Sequence, residues 1–146
     1  MGVLFEYFAA KSDAEAAAVI DLVGGPGSLE MDSLSVSGIE PVVQLGTLEA
    51  LLTNHPYDEV ANDPRNGHAV AVRGNGERLV LTITDSLATA LARASAEDLQ
   101  RVAVPWSETE EFWGTADPDV LADVLVDLAA LARRADGNRL YCWVCV

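Results

Sequence analysis

The sequence predicts a single α+β domain over residues 1–146, with helices packed on a mixed or antiparallel sheet. Three observations support this prediction. Two strand-like segments within residues 68–84 flank an Asn-Gly pair, which is typical of an antiparallel hairpin. Residues 117–137 show the spacing of an amphipathic helix, and residues 140–146 are almost wholly apolar. A strand that is apolar on both faces is expected inside a sheet that is covered on both sides.

The first part of the chain predicts a strand, a short helix, a loop and a weak strand. Residues 3–8 form the first strand, and Ser12 with Glu15 forms a capping box that begins an alanine-rich helix. The glycine-rich segment 24–27 predicts a loop. A weak strand is predicted from the loose alternation of Leu29, Met31, Leu34 and Val36. A phosphate-binding loop would need a strand before it and a helix after it, and here that order is reversed.

The middle of the chain predicts a helix, a polar loop and the hairpin. Pro41 begins the helix, and residues 54–66 form the loop. Residues 68–73 and 78–84 are the two hairpin strands, joined by a type I′ turn at Asn75-Gly76. Side-chain alternation places Leu79, Leu81 and Ile83 on one face of the second strand, with Val80, Thr82 and Thr84 on the other.

Two further helices and a brief strand are expected after the hairpin. Asp85 or Ser86 caps the first helix, and Ser95 with Asp98 caps a short second one. Residues 102–104 are the brief strand.

The last predicted helix is preceded by a single helical turn, which Ser107 and Glu110 begin as a capping box. Asp117 is the N-cap of the long helix and Pro118 its first residue, while Gly137 supplies the left-handed stop.

The net charge of −14, from 23 acidic and 9 basic residues, limits the classes of partner that the protein can bind. Such a field repels nucleic acid and anionic membranes and attracts cationic partners. Solubility alone is the other explanation of the charge. The sequence shows no secretory signal and no apolar segment of the ~20 residues that span a bilayer, so we expect a cytoplasmic protein.

Cys142 and Cys145 form a C-x-x-C pattern, which in other settings marks redox or zinc sites. In an extended strand, however, these two side chains point to opposite faces, with α-carbons about 10 Å apart. A disulfide needs α-carbons within about 7 Å. We therefore predict two inert thiols that pack as small apolar side chains, and neither a metal site nor a cofactor.

An acidic and aromatic cluster is the candidate binding surface. No lysine or arginine occurs between residues 102 and 132, and three aspartates on the long helix are spaced four apart, so that they line one face. Aromatic anchors with steering charge suit a cationic protein partner. The predicted contact residues are Trp106, Glu108, Glu110, Glu111, Trp113, Asp119, Asp123 and Asp127. Two alternatives stay open: the tryptophans fill the core beneath solvated carboxylates, or the carboxylates bind a divalent metal.

A second hypothesis is a small-molecule-binding protein or hydrolase with a cleft near His55, Tyr57 and His68. The two histidines are the only imidazole bases of the chain, and the polar loop 54–66 is long for a compact domain. No nucleophile motif surrounds any serine or cysteine, so no catalytic residue is predicted.

Several short landmarks resemble the YfbM-like family of small bacterial proteins of unknown function. They are Met1-Gly2, Tyr7-Phe8-Ala9, the helix end Leu51-Leu52-Thr53, and Asn62-Asp63-Pro64 leading into Ala69-Val70. The long C-terminal helix and the strand after it complete the pattern. The resemblance implies a single α+β domain in a bacterial cytoplasm, and no functional residue.

The function that the sequence favours is therefore a non-catalytic protein-interaction module that binds a basic protein. An immunity or inhibitor protein that masks a cationic toxin or nuclease is one example. Nucleic acid and membranes are not expected as partners, and both a monomer and a homodimer are compatible with the sequence.

Overall fold

A computed structural model describes residues 3–22, 26, 32–112 and 116–146, without the side chains of Ser37 and Glu111. Along the chain its helices and strands are β1 (Leu4–Ala10), α1 (Asp13–Ala17), β2 (Ser33–Ser37), α2 (Val43–Thr53), α3 (Tyr57–Ala61), β3 (Ala69–Arg73), β4 (Arg78–Thr82), α4 (Asp85–Arg93), α5 (Ala96–Ser107), α6 (Pro118–Ala135) and β5 (Arg139–Cys145). Short 3-10 turns follow α1 at Ala18–Asp21 and α5 at Glu110–Phe112.

The described strands form one antiparallel sheet in the order β2-β1-β5-β4-β3. Strand β5 is its centre, because β1 pairs along one edge of it and β4 along the other. Every residue of β5 from Leu140 to Val144 is buried. These observations confirm the predicted α+β class and the buried terminal strand, and the sheet is antiparallel.

Helices cover the two faces of the sheet unequally. Helices α2, α4, α5 and α6 contribute buried side chains to a large core on one face, where Leu140, Cys142 and Val144 point. On the other face a smaller core contains Phe8, Tyr141 and Trp143, together with Val19 and Ile20 from the segment after β1. The uneven cover explains why α1 can be only one turn long while α6 has 18 residues.

The hairpin forms as predicted. Asn75 has φ 57° and Gly76 has φ 98°, so both central residues of the turn have the positive φ that a type I′ turn requires. The amide of Glu77 donates to the Gly74 carbonyl oxygen at 3.2 Å and closes the turn. Within β4 the two faces are also as predicted, since Leu81 lies in the large core and Val80 in the small one. Thr84 was predicted on the wrong face, because it lies beyond β4 and its hydroxyl contacts Glu49 of α2.

Three of the predicted helix caps are confirmed. Ser12 accepts from the Glu15 amide, Ser95 and Asp98 form a complete capping box, and the Asp117 carboxylate accepts from the Asp119 amide.

The cap of α4, predicted at Asp85 or Ser86, lies one or two residues earlier, at Thr84. The hydroxyl of Thr84 accepts from the amide of Leu87 at 3.1 Å. Thr84 lies two residues after the end of β4, and its extended backbone (φ −64°, ψ 145°) is the conformation that an N-cap needs.

Residues 102–104 belong to α5, so the predicted brief strand is wrong. Val102, Ala103 and Trp106 are buried at helical spacing, and this packing outweighs the β-branched residues and the following proline. Pro105 lies inside α5 and removes only the one helical hydrogen bond to the Arg101 carbonyl. Ser107 therefore caps nothing, and its hydroxyl donates to the carbonyl of Val104 at 2.7 Å.

Two more boundaries differ from the prediction. Helix α2 begins at Val43, two residues after Pro41, and the predicted loop 54–66 contains α3. Leu34 and Val36 lie in β2. Met1, Gly2, Leu29, Met31 and the glycines of segment 24–27 lie outside the described residues, so the predictions there are not addressed.

Candidate functional site

The exposed side of α6 carries the three predicted aspartates. Asp119, Asp123 and Asp127 are all exposed, whereas Leu121, Leu125 and Leu128 on the opposite side are buried. The four-residue spacing places the aspartates on one face because four residues make slightly more than one helical turn. Glu108 after α5 and Glu110 in the following turn are also exposed. We call Glu108, Glu110, Asp119, Asp123 and Asp127 the acidic face.

A groove between α5 and α6 joins part of the acidic face to apolar surface. It has a volume of about 370 Å³ and is lined by Gln100, Val104, Pro118, Asp119, Ala122 and Asp123. Val104 in this lining is 47% exposed. The groove therefore brings two of the predicted carboxylates together beside an exposed apolar side chain.

The carboxylates of the acidic face have no ion-pair partner among the described residues. Arg134 at the end of α6 is near enough to Asp127 to interact with it electrostatically, but neither arginine there forms an ion pair with the acidic face. Arg134 pairs with Asp32 at 2.8 Å, and Arg133 donates to the carbonyls of Ala92 and Ala94. Charge at this face is thus available to an external cation.

Trp106 does not belong to this surface, and its prediction as a contact residue is wrong. Its side chain is fully buried, and the indole N–H donates to the Gln44 carbonyl at 3.0 Å. Phe112 packs edge-on against it with ring centroids 5.1 Å apart. Helical spacing from Leu99 and Val102 directs the indole into the core. Trp113 and the Glu111 side chain lie outside the described residues.

The residues of the second hypothesis line neither the groove between α5 and α6 nor a second groove between α2, α4 and α5. His55, Tyr57 and His68 are all exposed. Tyr57 lies against α2, where a Cβ on Gly46 would come within 3.2 Å of its ring. His55 is near enough to influence the pKa of Glu49. The hydrolase hypothesis stays a prediction without geometric support.

Glu49 is a buried carboxyl that the sequence analysis missed. It accepts a hydrogen bond from the Thr84 hydroxyl, and it is 4% exposed. Burial raises the pKa of Glu49, with Asp63 raising it further, whereas the bonds from Thr84 and Ser86 lower it. Its position in the sequence could have indicated this burial, because Glu49 follows Leu45 by four residues and so shares the apolar side of α2.

A second missed cluster holds α1 against the sheet. The Tyr141 hydroxyl donates to Asp13 at 2.6 Å, and the Arg65 guanidinium donates to the same carboxylate at 3.2 Å. The Tyr141 bond lowers the pKa of Asp13, while burial raises the pKa of Tyr141 to about 12. Arg65 and Tyr141 lie 52 and 128 positions after Asp13 in the sequence, so no local sequence pattern could reveal this cluster.

The two thiols point to opposite faces of β5, as predicted. Cys142 lies in the large core and Cys145 is partly buried against the small one, and both are free. Burial raises the pKa of Cys142, which keeps its sulfur as the unreactive thiol.

Among the described residues, no three His, Cys, Asp or Glu side chains are placed to hold one metal ion. Within the same part of the chain, no helix has the length and apolarity needed to cross a bilayer.

A scan against protein-family models finds no match, and searches of the curated proteins and of the solved structures find no significant match. The resemblance to the YfbM-like family therefore stays a prediction, and function must be argued from this chain's own residues.

Proposed function

We propose that the protein is a non-catalytic interaction module that binds a basic protein through the acidic face. The observation that supports this most directly is the α5–α6 groove, where unpaired carboxylates of Asp119 and Asp123 border the exposed side chain of Val104. Apolar contact supplies affinity at such a surface, while the charges steer encounter and select a cationic partner.

The spacing of the aspartates also destabilises α6 slightly in the free protein. Like charges four residues apart on a helix destabilise it by a few tenths of a kcal/mol per pair. A basic partner removes this repulsion on binding. An immunity-like or inhibitor-like role, in which the protein masks a cationic surface, follows from the same charge complementarity.

Affinity capture at two salt concentrations tests the proposal. The bait is the whole protein, and the source is a lysate of the organism that encodes it, at 50 mM and 500 mM NaCl. We expect a small set of basic proteins to be retained at low salt and released at high salt, because exposed charges are screened beyond ~10 Å at 0.1 M.

Two variants with the same change in net charge separate the acidic face from general charge. The first replaces Asp119, Asp123 and Asp127 by asparagine. The control replaces Glu15, Asp58 and Glu59, which are exposed on α1 and α3, by glutamine or asparagine. We expect at least tenfold weaker capture by the first variant and unchanged capture by the control. Equal capture by both variants would contradict the proposal.

A further inference from the structure

Arg93 is the one arginine of the chain without a partner in the described structure. Of the other seven, five form ion pairs with aspartates, and Arg78 and Arg133 donate to backbone carbonyls. Arg93 is exposed and forms neither kind of contact. In a chain of net charge −14, an arginine that no carboxylate has engaged is available to an external anion.

Helix capping does not account for Arg93. It lies in the last turn of α4, where a positive charge favours the helix dipole. The carbonyls at this end are nevertheless bound by Arg133, which reaches Ala92 at 3.1 Å and Ala94 at 2.6 Å from α6. Arg133, and not the Arg93 guanidinium, therefore binds these two carbonyls.

Arg93 lines a groove between α2, α4 and α5 with a volume of about 510 Å³. Leu51 and Leu52 of α2 face Val102 and Pro105 of α5 across this groove, and Leu51 is 38% exposed. The volume lies within the ~300–1,000 Å³ of small-molecule sites, and such sites combine apolar walls with a few polar groups.

The polar lining of the groove consists of Arg93, Arg101 and Asp98. Asp98 accepts from the Ser95 amide at 3.1 Å and pairs with Arg101, so these two charges are engaged with each other. One unpaired positive charge therefore remains beside the apolar walls. Helix α5 separates this groove from the acidic one, because Gln100 and Val104 line the other side.

We propose that the α2–α4–α5 groove binds a small molecule that carries one carboxylate on an apolar body. The carboxylate pairs with the guanidinium of Arg93 in the two-pronged geometry that arginine favours. The apolar body covers Leu51, Leu52 and Pro105. A dianion such as a phosphate monoester is disfavoured, because a single free cation in a strongly negative field compensates only one charge.

Isothermal titration with three probes tests this site on the full chain. Octanoate has the proposed chemistry, butyrate has the same charge on a shorter body, and octanol has the same body without the charge. We expect saturable one-to-one binding of octanoate and at least tenfold weaker binding of the other two. Octanol that binds as well as octanoate, or octanoate that does not saturate at millimolar concentration, would overturn the proposal.

Two pairs of variants locate the binding. Arg93→Gln should weaken octanoate binding about tenfold, whereas Arg73→Gln, an exposed arginine on β3, should leave it unchanged. Leu51→Asn should weaken it as well, and Val126→Asn, an equally exposed apolar residue on α6, should not. Thermal denaturation confirms that each variant is folded. Unchanged affinity in Arg93→Gln would place the probe elsewhere and refute the assignment.

Discussion

Trp106 and Glu49 show how single side chains tie the helical layer together. Trp106 of α5 donates its indole N–H to the carbonyl of Gln44 in α2, and Glu49 of α2 accepts from Thr84 at the start of α4. Both bonds are buried, so water does not compete with them. Helix α2 is thus fixed to α5 at one end and to α4 towards the other.

Replacing Trp106 by phenylalanine tests the first of these ties. The change removes the hydrogen bond to Gln44 and leaves a small void, which we expect to lower the free energy of unfolding by about 2 kcal/mol. Urea denaturation measures the effect. A neutral result would show that the indole is not a core residue and would restore it as a surface candidate.

Replacing Glu49 by glutamine tests the second tie through pH. Because burial raises the pKa of Glu49, the folded state binds its proton more tightly than the unfolded state does. This contribution to stability is present below the ordinary pKa near 4.5 and is lost as pH rises through the raised folded value. Glutamine stays neutral and still accepts from Thr84.

We therefore expect Glu49→Gln to gain stability relative to the natural protein as pH rises from 4.5 to 7.5. Urea denaturation at the two pH values measures the difference. A loss of stability in Glu49→Gln that grows from pH 4.5 to pH 7.5 would show that the fold uses the ionised carboxylate, contrary to this reasoning.

At the scale of secondary structure, the sequence predicted the elements whose signals are local. The turn at Asn75-Gly76, the capping box of Ser95 with Asp98 and the amphipathic pattern of α6 each lie within a few residues, and each was located correctly. The capping box predicted at Ser107 is not formed, because Ser107 lies inside α5. Helix α5 was cut short because Val102 and Pro105 argue against a helix when they are considered alone. Packing against α2 and α6 stabilises these residues as a helix. A single sequence does not show which helices pack against each other, so this could not be predicted.

The hairpin turn allows a matched pair of substitutions. Asn75 has φ 57°, a conformation that costs an alanine roughly 1–2 kcal/mol and costs glycine nothing. We expect Asn75→Ala to lower the melting temperature by several degrees and Asn75→Gly to leave it near that of the natural protein. Equal losses in both variants would mean that the Asn75 side chain, and not its backbone, holds the turn.

At the scale of the whole molecule, the sequence predicted the large negative charge, and the fold determines where on the surface that charge lies. The candidate site was only half foreseeable for this reason. Spacing alone placed Asp119, Asp123 and Asp127 on one exposed side of α6. The burial of Trp106 and the grooves on either side of α5 depend on how helices distant in sequence pack.

Salt should stabilise this protein. Self-repulsion at net charge −14 opposes the compact state, and salt screens it. We expect the melting temperature to rise by a few degrees between 20 mM and 500 mM NaCl. The double variant Asp123→Asn, Asp127→Asn should have a higher melting temperature than the natural protein at 20 mM NaCl. Its melting temperature should rise less when salt is added. A melting temperature that falls with added salt would show that the ion pairs outweigh the repulsion.

The position of β5 also fixes when the sheet can assemble during synthesis. This strand follows every other described element along the chain, yet it separates β1 from β4 in the sheet. A nascent chain therefore has no scaffold on which to align its first strand with the hairpin until residues 139–145 have left the ribosome. Contacts across such a sequence separation form slowly, so we expect the exposed apolar strands of the growing chain to be a substrate for chaperones until translation has passed β5.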